Sequence, residues 1–224
     1  MKTDILYEDD ELIVCYKPAG LPTQTRQITQ KDLVSELRNH LSKENGDSYV
    51  GVIHRLDQPV EGILVFAKNQ KAAADLSKQV RERQIVKIYR AVVCGEVPDK
   101  GVLEDELVKD SKANKALVLA QPSGQSKHAR LSYKRLYTNG EVSLVEITLE
   151  TGRYHQIRAQ FAHDGHPLVG DRKYGSVSVQ GWEKMPLALC AIRLEFEHPT
   201  TKKSMEYTIA PKQEAFLKIE EMRK

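Results

Sequence analysis

A chain of 224 residues can bury one substantial core, or two lobes sharing a sheet, and its length demands no more. Lysines and arginines (34) barely outnumber aspartates and glutamates (31), so with a net charge of +3 any polyanion has to be met by a local patch, not by the field of the whole molecule. Cys15, Cys94 and Cys190 are far apart and set in apolar runs, no apolar run reaches membrane-spanning length, and the opening MKTDILYEDDE lacks the form of a signal peptide. Disulfide frameworks, CxxC metal sites and membrane contact are therefore disfavoured, and a soluble cytoplasmic protein with buried, reduced thiols is expected.

Residues 5–20, ILYEDDELIVCYKPAG, carry two apolar patches around an acidic turn and then a strand ending in a Lys17-Pro18-Ala19-Gly20 reversal. Leu33, Val34, Leu37 and Leu41 recur at helical spacing, which predicts a helix between Gln30 and Glu44 that stops in Asn45-Gly46. The segment GVIHRLDQPVEGILVFAK, Gly51 to Lys68, joins a polar cluster of His54, Arg55 and Asp57 to an apolar run, Ile63 to Ala67, that reads as a buried strand. Pro59 and Gly62 keep that cluster out of regular helix, so Asp57 is presented from a loop held by a rigid strand. Read alone, HRLD is equally compatible with a surface turn around one buried leucine.

A second helix is predicted over Asn69 to Arg83, with Asn69 as N-cap, Ala73, Leu76 and Val80 on one face and Lys71, Lys78, Arg81 and Arg83 on the other. From Val86 the pattern turns to strands (VKIYRAVVCGEV, VLEDEL, KALVLAQ, HARLSYKRLYT, VSLVEITLE) separated by Gly, Pro, Asn and Asp, which implies an α+β fold with a largely antiparallel sheet. KDSKANK, Lys109 to Lys115, is polar, lies between strands and is a candidate mobile element. In TGRYHQIRAQ, Thr151 to Gln160, a helix is predicted to begin with Arg153, His155 and Arg158 near its first turns. Cations there oppose the helix dipole and point to an anion, the alternative being an arginine bridged to a neighbouring carboxylate. His54, His163 and His166 stand without acidic or Cys partners at ligand spacing, so neither metal nor cofactor is expected.

HRLD followed by Gly62 and a hydrophobic strand resembles the central signature of the RluA-type pseudouridine synthases, which isomerise uridine in ribosomal and transfer RNA. TGRYHQIR resembles their TGRxHQIR motif, HPLVGDRKYG (His166 to Gly175) their conserved loop, and LALCAIRLEFEHP (Leu187 to Pro199) their final core strand. The resemblance covers nearly the entire chain. It implies one catalytic domain over residues 1–224, with a bent central sheet flanked by helices and no separate N-terminal RNA-binding module. It implies Asp57 as the catalytic nucleophile, Arg158 as its partner, and Arg153 and His155 as residues that shape the site or contact RNA. Arg55 would fill the space left by a flipped uridine. Lys87-Ile88-Tyr89 matches the family's Lys-x-Tyr, with Lys87 toward RNA and Tyr89 stacking on the base and handling a proton.

Two departures stand out: Val60-Glu61 where the family commonly has Thr-Ser, and Cys190 where it commonly has histidine. Glu61 adds a carboxylate close to Asp57 and keeps a uridine-directed glycosidase open beside the synthase, while an inactive RNA-binding relative is the third reading. The expected partner is RNA, ribosomal or transfer, with no DNA and a monomeric chain.

Overall fold

The computed structural model describes residues 3–223 except 28, 46–48 and 176–178, with the backbone alone at 43–45. In chain order the elements are β1 (Asp4–Glu8), β2 (Leu12–Lys17), α1 (Leu33–Asn45), β3 (Gly51–Val52), β4 (Glu61–Ala67), α2 (Gln70–Arg81), β5 (Val86–Cys94) and β6 (Lys100–Asp110). They continue as β7 (Lys115–Leu119), β8 (Lys127–Thr138), β9 (Val142–Leu149), α3 (Gln156–His163), β10 (Leu189–Glu197), β11 (Ser204–Thr208) and α4 (Glu214–Met222). This is the expected α+β class with antiparallel strand pairs. The residues form two compact units, Met1–Val86 with Ala191–Ala210, and Lys87–Cys190 with Pro211–Lys224.

In the first unit the strands run β1-β2-β4-β10, with β3 on β4 and β11 on β10. The acidic turn between β1 and β2 closes because the Asp9 carboxylate accepts the Glu11 and Leu12 amides, at 2.8 and 2.9 Å. All seven residues of β4 are buried, which explains the unbroken apolar run after Gly62 where a half-exposed strand would alternate. Leu12, Val14, Ile63, Val65, Leu76 and Phe196 join in one core, each such side chain contributing about 1.5 to 3 kcal/mol on burial. The first predicted helix begins later than expected, at Leu33, because the Asp32 carboxylate caps it by accepting the Ser35 amide at 2.7 Å. Its apolar face, Leu33, Val34, Leu37 and Leu41, is buried as the spacing required, and it runs to Asn45; Gly46 lies outside the described residues. Helix α2 starts where Asn69 accepts the Ala72 amide at 2.8 Å.

The second unit holds the order β5-β9-β8-β6-β7, every neighbouring pair antiparallel. Helix α3 rests on β6 and β7, where Ala159 packs with Leu107, Ala116 and Ala129. The three cysteines are buried.

Gly62 has a positive φ of 141°, and a Cβ there would stand 2.5 Å from the Ala191 Cβ and 2.6 Å from its backbone N and O. Gly62→Ala should therefore lower stability by about 2 kcal/mol or more. Gly140→Ala, also at positive φ but with nothing within 4 Å, should cost about 1 kcal/mol. Thermal melting of the two variants beside the wild type measures the difference.

Candidate active site

Asp57 lies half-buried in the loop between β3 and β4, and both of its neighbours are fastened. On one side the Thr23 hydroxyl donates to the Leu56 carbonyl at 2.9 Å while the Leu56 amide returns to that hydroxyl at 3.2 Å. On the other, the Gln58 carbonyl accepts from the Gly20 amide at 2.8 Å and from Lys17 Nζ at 3.2 Å, and the Gln58 side-chain amide donates to the Gly20 carbonyl at 3.0 Å. The Lys17-Pro18-Ala19-Gly20 reversal is thus the seat of the HRLD loop. A carboxylate flanked by two clamped residues keeps its direction without being buried itself. Arg55 is exposed and His54 half-buried beside it.

Lys17 went unnoticed in the sequence as a functional candidate, although the KPAG turn carried it. Its side chain is fully buried, and besides Gln58 its ammonium donates to the carbonyls of Leu21 and Pro18, at 2.7 and 3.0 Å. Burial pulls its pKa down to about 8, against the pull of the Asp57 and Glu61 carboxylates, which favour the charged form. The first unit thereby places a cation in the electrostatic neighbourhood of Asp57. Glu61, only 1% exposed, accepts from the Tyr16 hydroxyl at 2.5 Å.

In the second unit, Thr151, Gln156 and Arg130 lock the TGRYHQIR segment. The Thr151 hydroxyl accepts the Arg130 amide at 2.8 Å and donates to Gln156 Oε1 at 2.8 Å, which also takes the Arg153 amide at 3.0 Å. Helix α3 begins only at Gln156, so Arg153 and His155 precede it and Arg158 alone occupies the first turn. The reason is local: His155 stands at the N-cap in the left-handed region, φ 51°, which takes the chain out of helix before that point. Its Nδ1 lies 2.9 Å from the Tyr174 hydroxyl, and that hydroxyl accepts the Ala116 amide at 2.6 Å. Burial pushes the Tyr174 pKa up to about 12, so the phenol keeps its proton.

The bridge to a neighbouring carboxylate that the sequence left open is made. Arg158 donates from Nε and Nη2 to the two oxygens of Asp171, both at 2.7 Å, with the pair almost wholly buried. Burial would raise the Asp171 pKa, but the guanidinium and the Lys173 and Tyr174 amides outweigh it and hold the carboxyl below its ordinary value. Asp171 was missed in the sequence; its signal was the GDRKYG loop, which was matched as a motif but not read for a charge. Arg158 also faces the Tyr174 ring at 5.2 Å.

Tyr89 is 6% exposed on β5, opposite Ile147 of β9, and Lys87 is half-buried two residues before it, its pKa lowered by burial. A Cβ on Gly152 would come within 3.4 Å of the Lys87 ammonium, so the Lys-x-Tyr and TGR motifs adjoin. No group of three or more His, Cys, Asp or Glu able to hold a metal occurs among the described residues.

The RNA pseudouridylate synthase family model matches residues 11–163. An uncharacterized RNA pseudouridine synthase of Aquifex aeolicus is 34% identical over 220 residues, covering 92% of this chain and 68% of that protein. Ribosomal large subunit pseudouridine synthase C of Buchnera aphidicola is also 34% identical, covering 91% of this chain and 65% of that one. For tRNA pseudouridine synthase C of Haemophilus ducreyi the figures are 34%, 90% and 88%. The fold is shared with human RNA pseudouridylate synthase domain containing 4, at a TM-score of 0.79 and 23% identity over 96% of this chain and 90% of that one. The chain belongs to the RNA pseudouridylate synthase family. It spans about two thirds of the length of the Aquifex and Buchnera relatives.

Breaking a buried ion pair from one side leaves a desolvated charge, so Asp171→Asn should cost about 3 to 5 kcal/mol. The folded Asp171 pKa lies below the ordinary 3.8, so the contribution is complete above that value and disappears as pH falls through the lower, folded pKa. Urea unfolding of wild type and Asp171→Asn between neutral and strongly acid pH should show the two stabilities converging only at the acid end.

Proposed function

We propose that this chain is an RNA pseudouridine synthase that isomerises particular uridines of ribosomal or transfer RNA, with Asp57 as nucleophile. The observation that carries the reading is the setting of Asp57: the aspartate of the HRLD match, half-exposed, between two clamped residues and near a buried ammonium. The isomerisation breaks the bond from C1′ to N1 and forms one from C1′ to C5. The proton lost from C5 is balanced by one gained at N1, and no water enters. A carboxylate can open this sequence by adding to the sugar, to be displaced as C5 bonds to C1′, or by adding to the base, to be eliminated after that bond has formed.

A stacked uridine has to be turned out of its helix first, at a cost of a few kcal/mol. The exposed Arg55 is suited to occupy the vacated place, and Tyr89 offers an aromatic face and a hydroxyl for proton handling. Arg158, oriented through Asp171, is assigned as the counter-charge of the Asp57 carboxylate, while Arg153, His155 and Lys87 are assigned to RNA. The glycosidase reading needs Glu61 as a second working carboxylate. Its burial and its bond from Tyr16 weigh against that use.

Asp57→Asn keeps shape and removes the nucleophile. The expected result is a folded variant that still binds RNA and forms no pseudouridine, while the wild type converts uridine and releases no uracil. Pseudouridine formed at a substantial rate by the folded variant would sink the assignment, and free uracil from the wild type would favour the glycosidase. For Tyr89, phenylalanine should preserve RNA binding and lower turnover by about 100-fold or more, whereas alanine should impair both. Single-turnover assays beside binding measurements separate the two effects.

A further inference from the structure

The β6–β7 hairpin ends in a tip built to keep its shape. Asp110 Oδ1 accepts the amides of Lys112 and Ala113, at 2.8 and 3.0 Å, and Asn114 turns the chain back at φ 52°, a conformation asparagine tolerates. This polar segment, which the sequence offered as a mobile element, is tied to both motif-bearing loops of its unit, Thr151 to His155 and His166 to Gly175. The Tyr154 hydroxyl donates to Asn114 Oδ1 at 2.5 Å, Lys173 Nζ donates to the Asn114 carbonyl at 2.8 Å, and the Ala116 amide donates to Tyr174. The Tyr154 ring stacks on His155 with centroids 3.9 Å apart, and Lys109 Nζ stands 4.6 Å from the same ring.

Apart from Asp110, whose carboxylate is taken up by the amides of the turn, the charges around this clasp are positive. Lys109, Lys112 and Lys115 sit on the hairpin, and Arg153, Arg172 and Lys173 on the two loops that bracket its tip. Among the described residues, the ion pairs of this unit are made by Arg90, His128, Arg130, Arg135 and Arg158, and none by those six. Cations gathered on neighbouring loops without an ion pair suit a ligand with repeated negative charge. The Tyr154 ring is engaged by His155 and Lys109, so the tip favours contacts to phosphate over stacking on a base.

We propose that the tip of the β6–β7 hairpin docks the sugar-phosphate backbone of a folded RNA without regard to sequence, and that the Tyr154–Asn114–Lys173 clasp sets where it does so. Tyr154 fills the variable place of the TGRxHQIR motif, so the residue chosen there positions the tip and, through it, the RNA. This inference rests on the reading of the chain as an RNA-modifying enzyme.

The test is the salt dependence of binding of the full chain to ribosomal and transfer RNA transcripts. Each lost phosphate contact lowers the slope of log affinity against log salt by about 0.7 to 0.9, so Lys109→Gln/Lys112→Gln/Arg172→Gln should lower it by about 2 to 3. The control is Lys100→Gln/Lys134→Gln, a facing pair at the other end of β6, which should leave the slope unchanged. Tyr154→Phe removes the bond to Asn114 with no change of charge, and it should weaken binding several-fold at a melting temperature close to that of the wild type. A wild type that binds RNA with the same slope as the triple variant overturns the dock and leaves the catalytic reading standing. Equal losses in the triple variant and the control also overturn it. A wild type that fails to bind RNA overturns the functional reading itself.

Discussion

The ammonium of Lys17 has no surface in contact with water, so its N–H bonds have to end on the protein. They end on the carbonyls of Pro18, Leu21 and Gln58, which draws the reversal after β2 and the loop before β4 onto a single point. The Thr23 and Gly20 bonds complete that junction, and Asp57 is left between its fixed points. A desolvated cation is costly by itself; with carbonyl dipoles around it and two carboxylates in its field it becomes the fastening of the loop.

The second unit uses the same physics with the signs arranged differently. There the buried charge is paired outright, Arg158 with Asp171, and the carboxylate also takes the amides of its own turn. Tyr174 ties this pair to the rest of the motif by facing the guanidinium, hydrogen-bonding His155 and accepting from β7. One loop, His166 to Gly175, thus supplies both the counter-charge that aims Arg158 and the hydroxyl that holds the His155 ring.

The departures from the family pattern are absorbed by local chemistry. Glu61 begins a strand whose seven residues are all buried, and its carboxylate is accommodated by the Tyr16 phenol and the nearby Lys17 charge. Cys190 lies in the buried run of β10, where a thiol behaves as a small apolar group.

Local chemistry was enough to read most of the elements from the sequence, though β3, β11 and α4 were not among them. Periodicity located α1 and α2, Asn69 announced a cap, and the Gly- and Asn-punctuated runs announced the antiparallel strands, because each of these signals acts within a few residues. The HRLD and TGRYHQIR motifs brought Asp57, Arg55, Arg153, His155 and Arg158 forward. Long-range partners decided what the sequence left open. Lys17 meets Gln58 41 positions away, Tyr16 meets Glu61 45 away, and Tyr154 meets Asn114 40 away. Arg158 had two readings until Asp171 closed on it, whereas the start of α3 was set locally, by His155 in the left-handed region. Motifs name the charged groups that need partners. Which partner each one finds depends on contacts between segments distant in sequence, and only the folded chain brings those together.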